Sequence, residues 1–299
     1  MYFGALTASG VTFTLKHITP ARYAVTPDFS IYEVGPRDGL QNLPHTISID
    51  DRIEMIHLLA GAGLHDIEAG SFVNPKRVPA MADTAEVFRQ CADIDANLAA
   101  LVPNERGMKD AREVGVERFN IFFSADEKFN ERNLGCSRDE AVAAYADMLH
   151  GVPSSQVRVY ISLAFSSPLD DMPDTIADAN ALGSTVVLCD TDGRASPDSI
   201  RQVTGLSYGN TALHLHYGAV RERMFHNLTV AYEMGVREFD ASIAGLGGCP
   251  FVPGSRGNLG TGELISWAEN EGLDCGVTLD DIKEAENLAL RLSKLEMVA

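Results

Sequence analysis

The sequence is short of bases, of pairable cysteines and of long apolar runs, and each shortage removes a class of function. Against 42 aspartates and glutamates there are 24 lysines and arginines in 299 residues, a formal net charge of −18. Nucleic acid and anionic membrane surfaces both require a basic face, so neither is an expected partner. An anionic small molecule would have to be met by a local cluster of arginine or lysine. No apolar run approaches the ~18 residues of a membrane span. The N-terminal residues also lack the basic-then-apolar pattern of a secretory leader. The five cysteines, at 91, 136, 189, 249 and 275, are odd in number and have no metal-type spacing. That is the usage of reduced thiols, so a cytoplasmic protein is expected. Low-complexity stretches and dividing linkers are missing too. No Gly-x-Gly-x-x-Gly turn follows the first strand-like segment, which counts against a dinucleotide-binding open sheet.

What is present is globular: 45% hydrophobic and 22% charged residues, enough apolar material for one large core or two smaller ones. From Ser30 onward one rhythm repeats. Strand-like runs fall at 31–34, 65–69, 97–102, 118–123, 157–163, 185–189, 211–215 and 238–243. Helical sequence follows them at 50–62, after Pro79, from Glu105, from about Arg138, near 174–182, after Pro197, up to Met234, from Glu263 and from Leu279. In the first helix Ile53, Ile56, Leu58 and Leu59 are expected to face inward. Eight strand–helix periods predict an α/β fold, a (β/α)8 TIM barrel closed by C-terminal helices. Residues 30–299 form its single domain. Residues 1–29 read as a short N-terminal extension, with strand-like alternation at Val11, Phe13 and Leu15.

In such a barrel the chemistry sits at the C-terminal ends of the strands. Those ends carry Arg37 and Asp38, Glu68, Asn104, Ser124, Ser162, Asp190, His214 with His216, and Ser242. The first set lies in Glu33-Val-Gly-Pro-Arg-Asp-Gly-Leu-Gln-Asn42, where Gly35 and Pro36 break the strand and Gln41 and Asn42 crowd in behind. His214 and His216 are two apart on a strand, so both imidazoles face the same side. With Asp38 as carboxylate partner they point to a divalent ion, magnesium, manganese or zinc, which the ligand types alone do not separate, held above apolar barrel layers. After the eighth strand comes Gly245-Leu-Gly-Gly-Cys-Pro-Phe-Val-Pro-Gly-Ser-Arg-Gly-Asn258. So many glycines and prolines exclude helix and strand. This shaped loop carries Cys249 and Asn258 over the same barrel end, where a thiol near a cation suits a general acid.

These pieces together resemble the 3-hydroxy-3-methylglutaryl-CoA lyases, among the barrel metallolyases with an Asp-Arg-Glu signature. The resemblance rests on residues 33–42, on Ile67-Glu-Ala-Gly-Ser-Phe-Val-Asn-Pro-Lys-Arg-Val-Pro79 with Met81, Ala82 and Asp83, and on Val102-Pro-Asn104. It continues through Asp190-Thr191, His214-Leu-His216, Ala244-Gly-Leu-Gly-Gly-Cys-Pro250 and Gly257-Asn258. It implies Asp38, His214, His216 and Asn258 as metal ligands. Arg37 polarises a thioester carbonyl, Glu68 completes the signature and Cys249 transfers a proton. Gln41, Asn104, Asp190 and Thr191 join Arg37 in binding substrate, an acyl-CoA or free hydroxy acid, and Arg256, which is not part of that pattern, is expected to hold an anionic group of it. The implied reaction is a metal-dependent retro-Claisen cleavage to acetyl-CoA and a keto acid, in a homodimer. A related lyase, aldolase or synthase is the alternative.

The sequence departs from that pattern near the substrate entrance. Tyr217 follows the second histidine where an acid or amide is usual, and the segment up to Asn227 is longer and carries Arg221 and Arg223. Arg256 replaces a small hydroxyl residue. Gly262 stands where a glutamate is expected, with Glu263 one place later, and Pro44 replaces a charged residue.

Overall fold

The computed structural model describes residues 26–247 and 257–294. Eight parallel strands close into a barrel in sequence order: β1 (Ser30–Glu33), β2 (Asp66–Ser71), β3 (Asn97–Leu101), β4 (Arg118–Ser124), β5 (Val157–Ser162), β6 (Thr185–Asp190), β7 (Asn210–Leu215) and β8 (Glu238–Ala241), which pairs back to β1. Around it run α1 (Ile49–Gly61), α2 (Thr84–Gln90), α3 (Glu105–Glu113), α4 (Glu127–Asn133), α5 (Arg138–Met148), α6 (Met172–Leu182), α7 (Pro197–Thr204), α8 (Glu222–Glu233), α9 (Thr261–Glu271) and α10 (Lys283–Ser293). The expected TIM barrel is the observed fold. Helix α4 has no counterpart among the expected helices. Only seven residues long and mostly polar, it carries too little apolar periodicity to be read.

Local chemistry starts these helices. The Ser48 hydroxyl accepts from the Asp51 amide at 3.1 Å to begin α1, and Ser137 and Glu140 form a capping box on α5. The buried face of α1 is Arg52, Met55, Ile56 and Leu59, with Ile53 and Leu58 only half-buried beside it. Arg52 enters that face because its guanidinium donates to the Ala69 carbonyl at 3.3 Å, at the end of β2.

Two cores follow from the strand alternation. Odd-numbered residues of β4 and β5 (Phe119, Ile121, Phe123, Val157, Val159, Ile161) pack with helix residues such as Met108, Tyr145, Met172 and Ile176 in the main apolar cluster. At the barrel's base Phe29 meets Phe239 and Trp267 edge-on or tilted, with centroids 5.4 and 5.8 Å away. The lumen is different. Asn120 of β4 donates to Tyr32 of β1 at 3.0 Å and to Glu68 of β2 at 2.8 Å. Arg158 of β5 lies 3.7 Å over the Tyr32 ring and donates to Asp240 of β8 at 2.6 Å. These non-adjacent strands can meet only inside the barrel. The layer beneath the expected metal site is therefore a buried polar network, with Val34 and Ala99 packed beside its Tyr32. The expectation of apolar layers is corrected on this point.

Glu33 ties the strand that starts the barrel to the one that closes it. Its Oε1 accepts from the amides of Gly35 at 2.7 Å and Ile243 at 2.9 Å, and its Oε2 accepts from the Thr261 hydroxyl at 2.6 Å. Burial pushes this carboxyl up to about 7, although the three donors oppose the shift. The folded value lies above the unfolded one, so the contribution to stability is present at low pH and lost as pH rises through about 7. Glu33→Gln keeps an oxygen for both amides and removes the titration. It should therefore gain stability relative to the parent between pH 5 and pH 8. Glu33→Ala leaves two buried amides without an acceptor, which should cost on the order of 3 kcal/mol. Chemical denaturation at both pH values measures this, and an alanine variant as stable as the glutamine one would refute it.

Candidate active site and metal centre

The polar side chains converge because the chain winds tightly as β1 ends. Residues Gly35–Gly39 form one wide turn, in which the Val34 carbonyl accepts from the amides of Arg37, Asp38 and Gly39 at 3.2, 2.8 and 3.2 Å. A Cβ on Gly39 would lie 2.8 Å from the Ser242 hydroxyl, so only glycine lets this turn sit against the loop after β8. The turn aims Arg37 and Asp38 into the barrel mouth.

Arg37 is buried between two carboxylates. Its Nε donates to Glu68 Oε2 at 2.5 Å and its Nη1 to Asp38 Oδ1 at 2.6 Å. Burial alone would weaken the guanidinium's hold on its proton, but Glu68 and then Asp38 outweigh it and the group stays charged. Burial pushes the Asp38 carboxyl up, yet Arg37, His214 and His216 together bring it down to about 2. Asp38 is thus an anion at any working pH, which is the form a metal requires.

Asp38, His214 and His216 offer ligand atoms that lie within 4.8 Å of one another. Asn258 completes the group from across the mouth, its segment bridged to His216 in antiparallel fashion. Its Nδ2 donates to Asp38 Oδ2 at 2.8 Å and to the Leu246 carbonyl at 3.1 Å, both pure acceptors, so its oxygen must face the other way. That oxygen is 3.3 Å from His214 Nε2. His214 Nδ1 in turn lies 2.9 Å from Asp240 Oδ2, which accepts the ring's N–H and so leaves the lone pair on Nε2. Two acceptors facing each other at that distance need a proton or a cation between them. Burial works against protonating His214, but the bond and the charge of Asp240 outweigh it and raise its proton affinity. His216 Nδ1 is buried without a hydrogen-bond partner among the described residues, and burial takes that ring's pKa down to about 3, so it is neutral. A neutral imidazole with an unshared pair, a carboxylate held ionised and an oxygen set against a nitrogen are a donor set that fits a divalent cation.

Below the mouth is a cleft of about 180 Å³. Arg37, Asp38, Gln41, Thr191, His214 and His216 line it, as expected for a site. So do residues not expected: Leu101, Phe122, Phe129, Asn133, Tyr160 and Cys189. Phe129 and Asn133 come from α4. Two expected substrate residues do other work. Asn104 is exposed and caps α3, accepting from the Gly107 amide at 3.0 Å. Asp190 Oδ1 accepts from the amides of Arg194 and Ala195 at 2.8 and 2.9 Å and so shapes the turn into α7. Neither lines the cleft. Cys249 and Arg256 lie outside the described residues.

Asp240 is the main group that sequence reasoning missed. It takes Arg158 on one oxygen and His214 on the other, so a fixed cation sets the orientation of an imidazole in the candidate metal centre. Asp240→Asn is expected to weaken manganese binding by about 10- to 100-fold, the usual scale for such outer partners. Titration of metal-free protein measures it, and unchanged affinity would show that His214 needs no such brace.

The HMGL-like family model matches residues 28–289. The hydroxymethylglutaryl-CoA lyase of Pseudomonas mevalonii is 36% identical over 267 residues, 85% of this chain and 89% of that protein. The crystal structure of the Bacillus subtilis HMG-CoA lyase superposes with a TM-score of 0.81 at 32% identity, covering 89% of this chain and 93% of that one. An HMG-CoA lyase from Acinetobacter baumannii, solved with coenzyme A and 3-methylmalate, gives a TM-score of 0.81 at 29% identity over 90% of this chain and 92% of that one.

Proposed function

The chain belongs to the HMGL-like family, and from that premise we propose that it is a carbon–carbon lyase cleaving 3-hydroxy-3-methylglutaryl-CoA to acetyl-CoA and acetoacetate. The observation that carries the reading is the facing pair of acceptors, His214 Nε2 and Asn258 Oδ1, beside an ionised Asp38 and directly next to Arg37. A divalent ion, magnesium or manganese, would be held by Asp38, His214, His216 and Asn258, and would supply Lewis acidity toward the substrate's tertiary hydroxyl and carboxylate.

The residues of the chain account for the rest. A base of the site, proposed to be Asp38, takes the hydroxyl proton, the O–H electron pair forms the ketone, and the broken carbon–carbon bond leaves its pair on the thioester as an enolate. Arg37 meets that charge. Two of its donors are fixed by carboxylates, so the guanidinium is already oriented when the enolate oxygen develops, and no reorganisation is needed at that moment. The apolar wall of Leu101, Phe122 and Phe129 keeps water from the carbanion. Cys249 is proposed to return a proton to that carbon, giving acetyl-CoA.

The test is purified protein with manganese or magnesium and a panel of thioesters: 3-hydroxy-3-methylglutaryl-CoA, its 3-hydroxyglutaryl analogue lacking the methyl, and a longer 3-alkyl homologue, with the free acid alongside. Release of acetyl-CoA from the first, dependent on metal, is the expected result. Cleavage of the free acid alone would replace the thioester reading with an aldolase.

A further inference from the structure

Three departures of this sequence from the usual pattern of its relatives turn out to be in contact with one another. Tyr217 follows His216 directly, Arg221 lies in the longer segment after it, and Glu263 stands in the first turn of α9. The Tyr217 hydroxyl donates to Glu263 Oε2, and Arg221 Nη2 pairs with Glu263 Oε1. The Arg221 guanidinium also lies 4.9 Å from the Tyr217 ring centroid. Glu263 Oε2 accepts a further bond from the Gly260 amide at 3.3 Å. With both oxygens engaged and no part in lining the cleft, Glu263 does not serve as an acid in the site.

We propose that Tyr217, Arg221 and Glu263 form a latch that holds the Asn258 ligand against the His216 strand, and so sets the metal affinity of the site. The proposal rests on the reading of Asp38, His214, His216 and Asn258 as the metal centre. The backbone shows what the latch extends. The Leu259 amide donates to the Leu215 carbonyl and the Tyr217 amide to the Gly257 carbonyl, both at 3.0 Å, so two short bonds hold the segment carrying Asn258 along the end of β7. Among the described residues the ladder reaches as far as Tyr217, where the side-chain bond carries the attachment on to α9. The opposite side of the same loop is fixed by contact: a Cβ on Gly218 would lie 2.0 Å from the Gly193 carbonyl oxygen, so the chain there cannot shift toward the β6–α7 loop. Tyr217 is buried, which shields its hydroxyl bond from competing water. Arg221 is two-thirds exposed, and its pairing adds less.

The experiment uses the full chain, stripped of metal, as parent and as Tyr217→Phe, Glu263→Ala and the double variant. Manganese binding is followed by electron paramagnetic resonance of the free ion, with melting in chelator as the check on the fold. Each single variant should bind manganese about tenfold more weakly. The double variant should be no worse than the weaker single, because both remove the same bond. Melting in chelator should stay near the parent's, and activity lost at limiting manganese should return at saturating manganese. Single variants that bind as tightly as the parent would overturn the latch, and so would losses that add in the double. A parent that binds manganese but releases no acyl-CoA would refute the proposed reaction and leave the latch standing. A parent that binds no manganese would overturn both.

Discussion

Replacing His214 and His216 together by alanine is expected to abolish metal retention and acyl-CoA release while leaving a folded barrel. The first part follows from the donor set: the double variant keeps Asp38 and Asn258, an oxygen pair too sparse to hold a divalent ion through dialysis. The second part does not come from the ligands sitting above an apolar lumen, because the lumen beneath them is polar. It comes from the main apolar core between sheet and helices, which contains neither histidine. Asp240 loses His214 but keeps Arg158 at 2.6 Å, so no buried carboxylate is left without a cation. The remaining cost is one lost bond to a buried acceptor, roughly 1–3 kcal/mol. Elemental analysis after dialysis and circular dichroism together measure both parts. A double variant that holds metal like the parent would remove the histidines from the site.

The residues that were legible in the sequence share one property: their chemistry follows from spacing along a single segment. His214 and His216 obey the strand period of two, and Arg37 and Asp38 are neighbours in a turn marked by Gly35, Pro36 and Gly39. Asp240 obeys the same period, two residues before Ser242, but β8 ends at Ala241 and not at 243, so the acid lies deeper than a strand end. Its function depends on Arg158, 82 residues away, and no local pattern carries that distance. Asn104 and Asp190 show the converse. Amides and carboxylates at strand ends suit metal and substrate, but they also suit backbone amides at the starts of helices and turns, and here the backbone has them. Residue type and position were identical for both uses, so only the geometry could separate them. Arg221, placed near the substrate entrance by its position in the sequence, is paired with Glu263.

Arg37 is the residue whose loss should do most harm, and two substitutions separate its two roles. Arg37→Met leaves Glu68, which is fully buried, and Asp38 facing each other with no cation between them. Removing one partner from such a buried cluster costs about 3–5 kcal/mol. The carboxyl of Asp38, held at about 2 largely by Arg37 against the upward push of burial, should also rise. Metal binding would then fall as pH is lowered toward 5, because a protonated Asp38 is not a ligand. Turnover should drop by roughly 10²–10³, the scale of losing one preorganised donor to a developing oxyanion. Arg37→Lys keeps the charge and should recover most of the stability and the ordinary pH dependence of metal binding. It should not recover turnover. A single ammonium cannot hold Glu68 and Asp38 in the guanidinium's fixed fork and still present an oriented donor to the enolate. Melting temperature, manganese affinity at pH 5 and pH 8, and the turnover number of both variants decide the matter. A lysine variant with parental turnover would mean that charge alone is enough, and a methionine variant with parental turnover would place the enolate's stabiliser elsewhere.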